Sequence, residues 1–332
     1  MEYISLPNTP MKASRIGLGT WSIGGSLWGG SDENDSIQTI LKALHLGINL
    51  IDTAPAYGNG ASETIVGKAL TQYGKREKVL LATKCGLVQE NGNTVRNTEK
   101  QSILKECDHS LARLKTDYID IYQIHWPDPI TPIAETAEAM VELLNKGKIR
   151  AIGVCNFSLS QMKEFRQIGP IHVCQSPHNL FENEIEGEIL PYCKKEKIAV
   201  FGYSSIARGL LSGKMSLETQ FKEGDLRKGM DPKFQEPHFS EYLRCVQELD
   251  RWAQKKFGKN VLSLAIRWSL DKGIAVALWG ARKQEQLKNI EEVFGWKLNS
   301  TDFAEIDSII AHCVKHPAGL EFMQPPVRKR VK

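Results

Sequence analysis

The sequence predicts an α/β fold, a (β/α)8 TIM barrel, and three observations carry that prediction. Eight short, nearly all-apolar runs recur from residue 15 almost to the end. The stretches between them repeat apolar residues at helical spacing. The length, 332 residues, suits one large barrel, and no repeat of 20–50 residues underlies the β/α rhythm. Strands apolar on both faces belong to a parallel sheet sheathed by helices. Eight of them is the number that closes a barrel.

The chain opens on ISLPNT (4–9) and MKAS (11–14), a small N-terminal hairpin ahead of the barrel. RIGLG (15–19) is the first barrel strand. A helix follows Asp35, with Ile37, Ile40, Leu41 and Leu44 at helical spacing and Gly47 for the left-handed stop. INLID (48–52) and VLLAT (79–83) are strands two and three. Ile103, Leu104, Cys107, Leu111 and Leu114 mark the helix before strand four, YIDIYQI (118–124). Ile133, Ala137, Met140, Val141 and Leu144 repeat the pattern up to Gly147, before strand five, IRAIGV (149–154). HVCQ (172–175) and IAVFGY (198–203) are strands six and seven. There the spacing breaks: the polar, Gly- and Lys-rich stretch 212–238 lacks apolar alternation and reads as a long loop after strand seven, lying over a site. Helical patterns at 240–257 and 261–271 lead to strand eight, IAVAL (274–278). Residues 1–332 are expected to form a single domain with a C-terminal tail, 315–332. The tail's basic end, VRKRVK (327–332), is expected to be solvated and mobile.

Composition narrows the function classes. Apolar residues make up 41% and charged residues 25%, which excludes a disordered chain, a collagen and a coiled coil. With 43 Lys and Arg against 39 Asp and Glu, the net charge is +4, too mild to point to nucleic acid. No apolar run reaches the ~18 residues that span a bilayer, and the N-terminus MEYISLPNTP carries no export pattern. The seven cysteines include no C-x-x-C pair, and most sit in apolar runs, as reduced thiols do. The expectation is a cytoplasmic protein acting on a small molecule, with no nucleic-acid or membrane partner. No apolar surface stripe stands out, so a monomer is preferred.

Active sites of such barrels lie at the C-terminal ends of the strands. Strand two is followed by Asp52-Thr-Ala-Pro-Ala-Tyr57-Gly58, strand three by Thr83-Lys84-Cys85-Gly86, and strand four by Ile124-His125-Trp126-Pro127. An acid, a phenol, an amine and an imidazole thus converge on one mouth. Each alone has an ordinary structural explanation, but burying Lys84 and Asp52 together costs free energy unless they pair. The set suits proton donation to a carbonyl as hydride arrives at its carbon. A free phenol, with a pKa of about 10, exchanges protons poorly at neutral pH. A cation beside it favours phenolate, so Lys84 is expected to lower the pKa of Tyr57, with Asp52 holding Lys84 charged. A neutral His125 would polarise and place the carbonyl oxygen.

With these residues in view, the sequence resembles the aldo-keto reductase superfamily over about residues 3–315. RIGLGTW (15–21), IDTAPAYGNG (51–60), SETIVGKAL (62–70), ATKCG (82–86), SLARLKTDYIDIYQIHWPD (110–128) and GKIRAIGVCNFS (147–158) are similar to its successive signatures. The resemblance implies a catalytic tetrad of Asp52, Tyr57, Lys84 and His125, with Tyr57 the general acid/base. It also implies a nicotinamide dinucleotide bound in an extended pose without a Rossmann domain. Consistently, Gly17-Leu-Gly19-Thr20-Trp21-Ser22 lacks the third glycine of the dinucleotide fingerprint.

Carried over position by position, the resemblance puts Gly19, Thr20, Trp21 and Asp52 against the cofactor. Asn156 and Gln175 would hold the carboxamide, and Tyr203 would stack on the nicotinamide. Ser204, Ile206, Arg208 and Gly209 would lie along the pyrophosphate, with Lys214 helping the inserted loop fold across. Cys155 stands where many relatives have Ser, and Ser205 where many have Pro. After strand eight, Gly280 leads a turn expected to open a helix and offer N–H groups to phosphate. Arg282 and Lys283 beside it suit the 2′-phosphate of NADPH, so NADP(H) is favoured over NAD(H). Gln286 and Asn289 would contact adenine or ribose.

The expected function is reversible NAD(P)H-dependent hydride transfer between an aldehyde or ketone and the corresponding sugar or polyol alcohol. Two alternatives use the same residues: a nucleotide-redox-sensing binding subunit, and a Schiff-base aldolase with Lys84 as nucleophile. Asp52 favours the ammonium form of Lys84 and weighs against the second. His312 and His316 have zinc-compatible i, i+4 spacing but no evident third ligand, so no metal is expected. Trp21, Trp28 and Trp126 are candidates for an apolar substrate wall.

Overall fold

A computed structural model describes residues 1–329. Strands β1 (Tyr3–Ser5) and β2 (Lys12–Ser14) form the predicted antiparallel hairpin. The barrel strands are β3 (Ile16–Gly19), β4 (Leu50–Asp52), β5 (Leu80–Cys85), β8 (Ile121–Ile124), β9 (Ile152–Cys155), β10 (Val173–Pro177), β11 (Ala199–Tyr203) and β12 (Val276–Gly280). All eight pair in parallel and close in the order β10-β11-β12-β3-β4-β5-β8-β9. Helices α1 (Glu33–His45), α2 (Ala61–Tyr73), α3 (Lys100–Leu114), α4 (Ile133–Asn145), α5 (Leu159–Phe165), α6 (Ile189–Lys195), α7 (His238–Phe257), α8 (Val261–Asp271) and α9 (Ser300–Cys313) accompany them.

The hairpin explains which barrel end is closed. Leu6 and Met11 pack with Leu50, Ile121, Val173, Phe201 and Val276, plugging the barrel at the N-terminal ends of its strands. Burying each of those two side chains contributes about 2 kcal/mol. The opposite end stays open and collects the loops that follow the strands.

Three expectations need correction. The helix expected directly after strand eight is absent: the segment forms two four-residue 3₁₀ turns, Gln284–Leu287 and Ile290–Val293, and the next α-helix is α9, from Ser300. Gln286 Oε1 accepts the N–H groups of Arg282 (2.9 Å) and Lys283 (3.0 Å), so those donors are already partnered. The tail is anchored at several points over its described length, although Val327 and Lys329 of its basic end are exposed. Arg96 N–H donates to Pro326 O at 3.1 Å. Arg328 pairs with Glu99 at 2.6 Å and Asp128 at 3.3 Å. Residues 330–332 of the basic run lie outside the described residues. Strand three also runs further than VLLAT, so Lys84 belongs to β5 itself.

A second hairpin went unanticipated, β6 (Leu87–Glu90) with β7 (Asn93–Arg96). Its signal is the dipeptide Asn91-Gly92, whose φ angles of 50° and 78° meet the positive-φ demand of a type I′ turn. The long loop after β11 crosses the mouth: Leu226 N–H donates to Leu27 O at 2.9 Å, and Trp28 bridges Asp225.

Candidate active site

Barrel register brings five strand ends level. Asp52 lies beside Ala82, Lys84 beside Gln123, and Cys155 beside Gln175. Lys84 is fully buried and its Nζ donates to three acceptors: Asp52 Oδ2 at 2.7 Å, Thr53 O at 2.9 Å and Tyr57 Oη at 3.1 Å. The other Asp52 oxygen accepts from Gln175 Nε2 at 2.8 Å and Gln123 Nε2 at 3.2 Å. Gln123 fits because residue 153 is glycine; a Cβ there would fall 2.6 Å from Gln123 Cγ. The carboxylate is thus fixed by a cation and two amides, as a buried charge requires.

Tyr57 is placed by close backbone packing. Gly58 has φ +65°, and a Cβ on it would approach Gly24 O to 2.1 Å, so any side chain would push the loops after β3 and β4 apart. The phenol meets the His125 ring edge-on with centroids 5.7 Å apart, and Trp21 lies 6.3 Å away. Burial pushes the Tyr57 phenol up to about 12, although Lys84 pulls the other way. The expected net depression is therefore not found, because desolvation of the phenolate outweighs the neighbouring cation. Burial lowers the Lys84 ammonium, but Asp52 and then Tyr57 more than compensate, and the net shift is upward. His125 is held well below its ordinary value by burial and then by Lys84. It is a neutral imidazole, with a buried Nδ1 that has no protein partner.

Asp52, Tyr57 and His125 line a cavity of about 650 Å³, with Lys84 buried behind them. Its wall includes Gly19, Thr20, Trp21, Asp52, Asn156, Gln175, Tyr203, Ser204, Ile206, Arg208, Gly209, Gly280, Arg282 and Gln286 of the expected cofactor set. Asn156 donates to His125 O at 3.0 Å and accepts from Tyr203 Oη at 2.8 Å, which ties the ends of three strands together. Cys155 is buried against Gln123 Oε1 at 3.6 Å, and Ser205 donates to Gly202 O at 2.9 Å. Three residues of the set lie elsewhere: Lys214, Lys283 and Asn289 are exposed and off the cavity wall. Arg208 lines the wall with its guanidinium committed to Ser204, Glu182 and Asp231. The candidate tryptophans Trp21, Trp28 and Trp126 all line the cavity.

Arg227 escaped sequence reasoning because it sits inside the irregular loop. It lines the cavity, lies over the Trp28 ring at 5.0 Å and pairs with Asp225 at 2.7 Å. Arg282 donates to Trp28 O at 2.7 Å and Gly30 O at 3.0 Å. Burial and then Arg227 lower its pKa, so an anion at this end would be welcomed. The tail residues Phe322–Pro326 complete the wall opposite. Among the described residues no cluster of His, Cys, Asp and Glu could hold a metal ion, and no helix is long and apolar enough to cross a membrane.

The geometry finds close parallels among known proteins. The sequence model of the Aldo/keto reductase family matches residues 15–311. An aldo-keto reductase of Bacillus subtilis, YhdN, is 54% identical over 332 residues, covering 100% of both chains. An NADH-specific methylglyoxal reductase of Escherichia coli is 37% identical, covering 91% of this chain and 95% of its own. The structure of a glycerol dehydrogenase from Gluconobacter oxydans superposes with a TM-score of 0.87 at 47% identity, covering 95% of this chain and 97% of that one. With the barrel, the strand-end residues and these matches in agreement, the chain belongs to the aldo/keto reductase family, an oxidoreductase family that uses nicotinamide cofactors.

Proposed function

We propose that the protein is a reversible carbonyl reductase in which Tyr57 exchanges the proton at the substrate oxygen. The observation that carries this is the Lys84 ammonium, bonded at once to Asp52 and to the Tyr57 hydroxyl, with His125 against the same phenol. A nicotinamide cofactor, when bound, supplies the hydride at the carbonyl carbon. The wall fits such a group: amide donors and acceptors on Asn156 and Gln175, the flat ring of Tyr203, and two guanidinium groups at the far end. Tyr57 donates its proton to the carbonyl oxygen in reduction and takes it back in oxidation. Lys84 steadies the phenolate that reduction leaves, and Asp52 keeps Lys84 charged. Neutral His125 orients the carbonyl oxygen. The three Lys84 hydrogen bonds and its raised pKa disfavour the Schiff-base alternative, which needs a free amine.

NADP(H) is the favoured cofactor on the strength of Arg282 and Arg227, two guanidiniums that a 2′-phosphate would satisfy. Lys283, exposed and off the wall, lends less. The protein acts as one unit, its tail included, and as a monomer on a small carbonyl compound or alcohol. Seven unpaired, buried cysteines suit the cytoplasm.

The test is rapid mixing of purified protein with NADPH or NADH and benzaldehyde, following loss of reduced-nicotinamide absorbance. Oxidation with either cofactor is expected. Binding without oxidation would return the redox-sensing alternative, and no binding would overturn the cofactor assignment. Arg282→Ala should raise KM for NADPH by about tenfold, the scale of one charge-assisted phosphate contact. KM for NADH should stay within about twofold. Equal effects on both would reject the 2′-phosphate role.

A further inference from the structure

Reaching the cavity wall through Arg208 is a second buried charge cluster whose carboxylates and lysine no step of the proposed reaction uses. Glu182, Arg208, Asp231 and Lys233 are each at most 5% exposed. Arg208 donates to Glu182 at 3.0 Å, to Ser204 Oγ at 2.9 Å and to Asp231. Lys233 Nζ lies 2.7 Å from Glu182 Oε1 and donates to Ala318 O at 2.7 Å. Asn179 donates to the other Glu182 oxygen at 2.7 Å and to Ser204 O at 3.0 Å. Two carboxylates and two cations offset each other. Buried ion pairs of this kind often stabilise a fold no more than apolar side chains of equal volume, whereas their hydrogen bonds fix the direction of the segments they join.

The cluster's members come from the turn after β10, the turn after β11 and the long loop. Through Lys233 it reaches a fourth segment, the C-terminal tail. Ala318 is held from its other side by its N–H donating to Tyr242 Oη at 3.0 Å. Four residues on, Phe322 lines the cavity with its ring 5.5 Å from the Arg208 guanidinium carbon. The tail here has little regular structure of its own, only the short turn Glu321–Met323. Its course over the mouth depends on such anchors.

We propose that Lys233 is a positioning residue: by bridging Glu182 and Ala318 it seats Phe322 on the cavity wall, where it contacts a bound substrate. This rests on the carbonyl-reductase reading of the cavity. Lys233→Met should raise KM for benzaldehyde about tenfold, while kcat and the NADPH dissociation constant stay within about threefold. Phe322→Ala should raise the same KM, and adding Lys233→Met to it should change KM less than twofold, because both act through one contact. A residue with a merely structural role would lower the melting temperature in both backgrounds without this split. Unchanged KM in Lys233→Met, or an undiminished tenfold rise in the Phe322→Ala background, would overturn the proposal. If Lys233→Met does not fold, Lys233→Gln, too short to span both acceptors, carries the same cycle, with the same two outcomes deciding it. Failure of the wild-type protein to reduce benzaldehyde would instead remove the carbonyl-reductase reading itself.

Discussion

Tyr57→Phe should reduce kcat by about 10²- to 10⁴-fold, the span of general acid catalysis by one positioned group. Cofactor affinity should move by less than about twofold, since the ring keeps its place between Trp21 and His125. Lys84 would lose one of three acceptors and retain Asp52 and the Thr53 carbonyl, so the fold should lose no more than about 1 kcal/mol. The pH profile separates this role from a packing role. With the phenol pushed up to about 12, Tyr57 is protonated at neutral pH and ready to donate. Reduction should therefore be flat between about pH 6 and 9. Alcohol oxidation needs the phenolate, whose fraction grows tenfold per pH unit below the pKa. Log kcat/KM for oxidation should rise with a slope near +1 over the same range. His125, neutral well below its ordinary value, should add no break near pH 6.5. A flat oxidation profile, or full activity in Tyr57→Phe, would remove Tyr57 from proton transfer.

The eight strands could be read from the sequence because a strand covered on both faces leaves an apolar run whatever its partners are. The strand-end residues were readable for a related reason: the barrel's geometry places whatever follows a strand at the same mouth. What stayed hidden depends on contacts between distant segments. Arg227 looks like one more charge in a polar loop until Leu226 joins the loop after β3. The tail carries no period, and it is held where its Pro325 carbonyl accepts from Arg96 Nε, 229 residues away in the chain. Glu182 and Lys233 resemble solvated surface charges, and only the fold brings them together in the interior. The sign of the Tyr57 shift was hidden for a different reason. A neighbouring cation can be inferred from strand order, but the depth of burial that outweighs it cannot.

Removing either end of the Lys84–Asp52 pair should be costlier than removing both. Both side chains are almost inaccessible, at 1% and 3% exposure, and breaking a buried pair by deleting one partner costs about 3–5 kcal/mol. In Asp52→Asn the amide keeps an acceptor for Gln123 and Gln175 only by turning its NH₂ toward the Lys84 ammonium. In Lys84→Met the carboxylate keeps its two amide donors but loses its counter-charge. The double variant Asp52→Asn/Lys84→Met buries no ion at this point, so its loss in urea unfolding should be smaller than the sum of the two single losses, and smaller than the Asp52→Asn loss alone. Turnover should fall in all three by about 10²-fold or more: Lys84→Met and the double variant leave the Tyr57 phenolate without a cation, and Asp52→Asn removes the carboxylate that holds that cation charged and in place. This divergence between stability and activity distinguishes a pair kept for chemistry from a pair kept for the fold. If the double variant were the least stable and the Asp52→Asn enzyme still turned over at the wild-type rate, the buried pair would be a structural element and the acidity of Tyr57 would be set elsewhere.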